Sequence, residues 1–166
     1  MPALVMIEGS KIVQVGPDGS VDLPRGDFEA VDCSTMAVLP GLIDPHGHIA
    51  LGPGSSYEEM FQCSDGLQLS SGIVNAQMTL ESGVTTVRDC GCRNRVTLDL
   101  RAAEQGGIIL APRMLVSGPP ITMTGGHFNF CNAEADGYEA IRRLTTSEGR
   151  GGLHQTHGLG RRYENN

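Results

Sequence analysis

The sequence predicts an α/β fold: a run of parallel βαβ units from residue 42 onward, preceded by a small separate β layer. Three observations carry this. From Leu42 the residue pattern alternates as strand, helix, strand, helix, strand, loop, helix, the order expected when helices connect parallel strands. The 23 glycines among 166 residues supply the many tight turns such a fold needs. The chain is also long enough to bury a core of its own. With aromatics at 4% and no Trp, that core is expected to consist of Val, Ile, Leu, Ala and Met.

The elements follow in order. Ala3 to Ile7 and Lys11 to Val15 read as two short strands, with Glu8-Gly9-Ser10 between them as a turn. "PDGSVDLPRGD" is a polar connection punctuated by Gly and Pro. Met36 to Leu39 is an apolar, strand-like run. Pro40-Gly41 breaks it, and Leu42-Ile43 begins the next strand. Residues 56–82 read mainly as helix, with Leu69, Ile73, Ala76 and Leu80 on one face and Gly83 as the stop. "VTTVRDCG" is a β-branched strand. Val96, Leu100 and Ala103 form the next helical stripe, which Gly106-Gly107 ends. "RMLVSG" is another strand, "PPITMTGGHFNFCNAEADG" a long loop, and Glu134 to Leu144 the start of a further helix.

Charge and cysteine content narrow the function. A net charge of -7 gives no electrostatic support for nucleic acid or an anionic membrane as partner. No stretch reaches the roughly 18 apolar residues of a membrane span. "MPALVMIEGSKIV" lacks the basic start and long apolar core of a secretory signal. The five cysteines, Cys33, Cys63, Cys90, Cys92 and Cys131, are odd in number and irregularly spaced, which suits free thiols in a reducing cytoplasm. Cys90-Gly91-Cys92 has no second cysteine pair with which to complete a tetrahedral metal site. It reads as small residues at a strand end.

Chemistry concentrates in "VLPGLIDPHGHIALG", residues 38–52. On a strand, residues i and i+2 share a face, so His46 and His48 project together, about 6–7 Å apart at the base. Two neutral imidazoles so placed can converge on a divalent ion, zinc first and manganese or iron next. Asp44 is expected on the same face, as a further ligand or as a partner that orients one.

"VLPGLIDPHGHI" resembles the first-strand signature of the amidohydrolase superfamily. "ESGVTTVRDCG" is similar to its second-strand segment. "APRMLVSGPPITMTGGH" is similar to the third-strand segment of its imidazolonepropionase-like and Xaa-Pro dipeptidase-like branch, and "IEGSKIVQVGP" resembles the start of its β-sandwich. The resemblance covers roughly Leu4 to Arg143. It implies a partial (β/α)8 TIM-like barrel of three βα units with an N-terminal piece of a small β-sandwich: residues 1–41 sandwich, 42–144 barrel, 145–166 an irregular tail. It implies metal-dependent hydrolysis of a carbon–nitrogen bond in a small amide, cyclic amide or dipeptide-like substrate. The ion, most often Zn and one or two in number, acidifies a water and polarises the carbonyl. His46 and His48 match the family's first-strand metal ligands, and His127 falls where the third-strand loop approaches substrate; a polar loop residue is the plainer reading of His127. Arg88 and Asp89 would line the site mouth or pair with each other at the strand end. The cytoplasm is the expected setting, and a homo-oligomer is left open for the full-length form only.

The resemblance also implies residues this sequence does not match: a bridging lysine on the fourth strand, histidines on the fifth and sixth, and a general-base aspartate on the eighth. A barrel of this kind takes about 200 residues or more. The chain is therefore expected to be a fragment with negligible activity alone, either an inactive remnant or a half-barrel needing a second chain. "TTSEGRGGLHQTHGLGRRYENN" has no strand or helix period. Codons allowed for Gly151 to Tyr163, read one base later, give "ADFIKLMASGGVM", which resembles the family's fourth-strand segment with its lysine. Residues from about Thr145 are thus expected to be out-of-frame translation. A weaker alternative has His154 and His157 join His46 and His48 in a small metal-binding protein.

Overall fold

Alternating β-branched and apolar residues around Gly9-Ser10 pair as an antiparallel hairpin, β1 (Ala3–Glu8) with β2 (Lys11–Pro17). Gly9 takes the turn at φ 60°, a conformation that costs a glycine little. A computed structural model describes residues 3–54 and 56–148 and divides the chain into two units, 1–40 and 41–166. In the first unit the hairpin is the only regular structure among the described residues. Met36 to Leu39 does not form the strand its apolar run predicts: those residues are exposed and have no strand partner among the described residues. Without a neighbouring strand to accept its backbone bonds, apolar content alone does not make one.

The second unit is α/β, as expected. Its strands are β3 (Leu42–Gly47), β4 (Val84–Asp89) and β5 (Arg113–Val116), parallel and in the order β3-β4-β5. Its helices are α1 (Tyr57–Gln62), α2 (Asp65–Glu81), α3 (Val96–Gln105) and α4 (Tyr138–Glu148). One face of the sheet is covered: Val87, Asp89, Met114 and Val116 are buried there with Leu100 and Ala76. On the other face Arg88 and Leu115 remain accessible, and Leu42 and Ile43 of β3 are 58% and 70% exposed. Among the described residues no helix is long and apolar enough to cross a membrane.

Three differences from the sequence reading have local causes. The helix over 56–82 is two helices. Ser64 caps the second, its hydroxyl accepting the Leu67 N–H at 3.3 Å, while the Gln68 amide donates to the carbonyls of Met60 and Phe61 at the end of the first. The buried face of α2 is Gln68, Gly72 and Ala76, whereas Ile73 is 36% exposed. Gly72 permits this rotation, because it lies against Ala50 and Leu100 where even a Cβ would come within 3.4 Å of both. Finally, α4 begins at Tyr138, because Glu134 and Asp136 are engaged by Gly125 and Thr124 and Gly137 has φ 80°. It runs to Glu148, past Leu144. The rest of the 145–166 segment, His154 and His157 included, lies outside the described residues.

Candidate metal centre

The two histidines owe their placement to an irregularity in β3. Asp44 pairs with Val87 and Gly47 pairs with Asp89, so three steps on β3 oppose two on β4. One extra residue, as in a bulge, resets which face the following side chains occupy. Asp44 therefore faces the buried side, and a Cβ on Gly47 would meet Val87 and the Asp44 carboxylate there. His46 and His48 flank Gly47 and take the other face. Asp44 does not share it, contrary to the alternation expected from sequence. Its Oδ1 instead accepts the His46 backbone N–H at 3.0 Å, a turn typical of Asp that fixes the bend.

The imidazoles of His46 and His48 lie with ring centroids 5.6 Å apart, edge to face. His46 is exposed and His48 half-buried. The Nδ1 of His48 is 3.1 Å from the carbonyl oxygen of Gly91. A carbonyl only accepts, so Nδ1 carries a proton in this contact and Nε2 is the nitrogen turned away from it. A ring that points Nδ1 at a backbone oxygen leaves Nε2 as the nitrogen that can face a metal, so the pair fits a divalent ion. Two imidazoles do not complete a tetrahedral shell, and among the described residues no three His, Cys, Asp or Glu side chains gather at one such point.

The wall behind His48 is aromatic. Phe128 lies 5.2 Å and Phe61 5.9 Å from its ring, and Phe130 packs on both phenylalanines. Three of the chain's four phenylalanines thus collect at one point, in a core expected to be aliphatic. Phe128 holds φ 61°, rare for a bulky residue and typical of functional loops. His127, exposed, lies against the Phe128 ring at 4.1 Å. It therefore connects to His48 through Phe128.

Arg88 and Asp89 do not form a pair with each other. Adjacent residues of a strand face opposite sides: the Arg88 guanidinium reaches toward the Pro45 carbonyl, whereas Asp89 is fully buried. Burial pushes the Asp89 carboxyl above its ordinary range, against the pull of N–H bonds from Ile49 and Gly91 and the nearby His48. Cys90 and Cys92 are buried free thiols, as the plainer reading of that segment expects. Cys92 donates to the Gln68 Oε1 at 3.2 Å.

Two supports were not legible as such. Gln68 and Asn75 lie on the buried side of α2, and Asn75 donates to the carbonyls of Ile49 and Leu51, the residues that follow His48. Hydropathy marks both as surface residues. Only their spacing on the Ala76 face could have signalled otherwise.

A sequence profile described as the Amidohydrolase family matches residues 37–158, a span that includes the bulged strand, both histidines and all three parallel strands. The chain belongs to the amidohydrolase family. It is similar to imidazolonepropionase of Rhizobium rhizogenes, with 29% identity over 45% of this chain and 21% of the relative. It is also similar to imidazolonepropionase of Rubrobacter xylanophilus, with 39% identity over 40% of this chain and 19% of the relative. Among solved structures, a Xaa-Pro dipeptidase with methionine bound in its active site superposes with a TM-score of 0.73 at 27% identity, over 89% of this chain and 40% of that one. This amidohydrolase chain thus spans about a fifth of the length of the curated relatives it matches, and its α/β fold is that of amidohydrolase structures.

Proposed function

We propose that the chain carries the first part of a metal-dependent amidohydrolase site acting on the carbon–nitrogen bond of a small amide, cyclic amide or dipeptide-like substrate. The observation that carries the reading is the His48–Gly91 contact, which engages Nδ1 and leaves Nε2 as the ligating nitrogen beside His46. In this proposal His46 and His48 hold a divalent ion, zinc first, and His127 on its Phe128 platform touches substrate. The ion, when bound, supplies polarisation of the scissile carbonyl and acidification of a water. The chain's own residues do the rest. Asp44 fixes the His46 backbone, Gly91 fixes the His48 tautomer, and the phenylalanines exclude water from one side of the pair. The imidazolonepropionase and Xaa-Pro dipeptidase relatives support a cyclic amide or a dipeptide as substrate class. They also support reading 42–144 as the first three units of a (β/α)8 barrel and the β1–β2 hairpin as part of a sandwich.

A second reading is favoured by a specific observation: two imidazoles without a third ligand among the described residues, beneath an uncovered sheet face. The site then works only when further chain supplies the missing donors. Zinc titration followed by histidine NMR tests the metal reading, since the His46 and His48 resonances should shift together and lose that response in His46→Ala. Zinc that leaves both unshifted ends it. Turnover assays on Xaa-Pro dipeptides and N-acyl amides separate the two readings. The half-site reading expects none from the 166-residue chain, and specific zinc-dependent turnover by it would overturn that reading.

A further inference from the structure

One buried side chain bonds to both backbone segments of this site. Asp89, at the end of β4, is fully buried. Its Oδ2 accepts the N–H of Ile49, the residue after His48, at 2.8 Å. Its Oδ1 accepts the N–H of Gly91 at 3.0 Å, and Gly91 is the residue whose carbonyl receives the His48 Nδ1 proton at 3.1 Å. One carboxylate therefore grips the backbone that carries the His48 ring and the backbone that carries its acceptor. The Cys90 N–H adds a bond to the Gly47 carbonyl at 2.8 Å, closing the 47–49 and 89–91 segments on each other. Of these four bonds, two are made by the Asp89 side chain.

We propose that Asp89 is a positioning residue for the metal ligand His48: by holding Ile49 and Gly91 at once, it fixes the Gly91 carbonyl that sets the His48 tautomer. This rests on the metal-site reading above. Asp89→Asn retains the shape but turns one acceptor into an NH2 group facing an N–H. One of the two grips is lost, on Ile49 or on Gly91, and the segment that carries the ring is no longer tied to the segment that carries its acceptor. Partners of this kind typically change metal affinity by roughly 10–100-fold.

The test uses the full chain labelled with ¹⁵N-histidine, free of metal, in long-range ¹H–¹⁵N spectra. Wild type should show His48 as the Nδ1–H tautomer. Asp89→Asn should mix the tautomers and weaken zinc binding, measured by competition with a chromogenic chelator, by roughly 10–100-fold. Asn75→Ala is the control. It releases Ile49 and Leu51 on the same segment without touching Gly91, so it should lose stability but keep the tautomer. An Asp89→Asn protein that keeps both the Nδ1–H tautomer and the zinc affinity overturns the proposal, as does an Asn75→Ala protein that changes both. If Asp89→Asn does not fold, hydrogen exchange on wild type decides. The His48 Nδ1–H should be protected together with the Ile49 and Gly91 amides; a freely exchanging Nδ1–H beside two protected amides overturns the proposal. Zinc that fails to shift His46 and His48 in wild type removes the metal reading, while the tautomer comparison still decides what Asp89 does to His48.

Discussion

The Nδ1 of His48 and the carbonyl oxygen of Gly91, 3.1 Å apart and 43 residues apart in sequence, join the two segments that make the site. The contact orients the ring, and edge-to-face packing with Phe61 and Phe128 completes the hold. Among the described residues His46 has no comparable ring support beyond its edge-to-face contact with His48.

That asymmetry predicts a split between two alanine variants. His46→Ala removes an exposed ring and should change unfolding free energy by no more than about 0.5 kcal/mol. His48→Ala removes a ring packed on two phenylalanines and leaves the Gly91 carbonyl without its donor, which should cost about 1–3 kcal/mol. Urea unfolding with and without zinc measures both effects. Wild type should gain stability with zinc, since an ion bound by the folded state shifts the equilibrium by mass action, and both variants should lose that gain. Equal destabilisation by the two variants would contradict the packing described for His48.

Gly91→Ala should be more damaging than either. Gly91 has φ 136°, a region nearly closed to other residues, and a Cβ there would lie 2.9 Å from the Pro120 ring. Backbone strain and overpacking together should cost about 2–4 kcal/mol. A urea midpoint unchanged by Gly91→Ala would mean that the backbone is not held at that angle.

The thiols give a pH prediction. Burial is the main cause pushing up the thiols of Cys90 and Cys92, and it takes Cys131 up to about 12. Cys33 and Cys63 are more accessible. Native chain at pH 8 should thus expose two thiols to a disulfide reagent and denatured chain all five. The sign for stability follows. In the unfolded chain the three buried thiols ionise near about pH 9, whereas in the fold they stay protonated to higher pH. Between those values the folded state binds more protons, so stability falls as pH rises above about 9. Cys131→Ala should flatten part of that slope. A slope unchanged in Cys131→Ala, or five reactive thiols in native chain, would refute the burial described.

What the sequence made legible is what periodicity and punctuation encode locally. β4 and α3 follow their stripes, and Gly83 and Gly107 sit at φ 94° and 67° where helices end. The His46–His48 juxtaposition was legible because i and i+2 survive the bulge together. Asp44 was misassigned because the bulge lies between it and them, and nothing in "IDPHGH" counts residues against β4. The facing of α2 was missed because close approach at Gly72 outweighs the larger burial that Ile73 offers, a decision made by Ala50 and Leu100 on other elements. The sequence offers Asp89 either the site mouth or an ion pair at the strand end, because its partners, Ile49 and Gly91, become neighbours only through strand pairing. The aromatic wall joins Phe61 to Phe128 and Phe130 across 67 residues of sequence or more, beyond the reach of any local pattern.

The uncovered side of the sheet leads to the last prediction. Parallel sheets are ordinarily covered on both faces, and an edge strand with free backbone groups templates association. Here β3 is an edge strand whose Ile43 and Leu42 are exposed, while Val87 on the covered face of the neighbouring strand is fully buried. Purified chain should therefore associate in a concentration-dependent way, and Ile43→Lys should suppress this by placing a charge on the open strand. Because Ile43 buries little in the fold, its replacement should change unfolding free energy by no more than about 0.5 kcal/mol. Val87→Lys puts the same charge against Met114 and Leu100 and should prevent folding. Light scattering over a concentration series, with urea unfolding alongside, separates these outcomes. Association undiminished in Ile43→Lys would place the contact elsewhere than on β3, and a large loss of stability in that variant would mean that Ile43 is buried in solution.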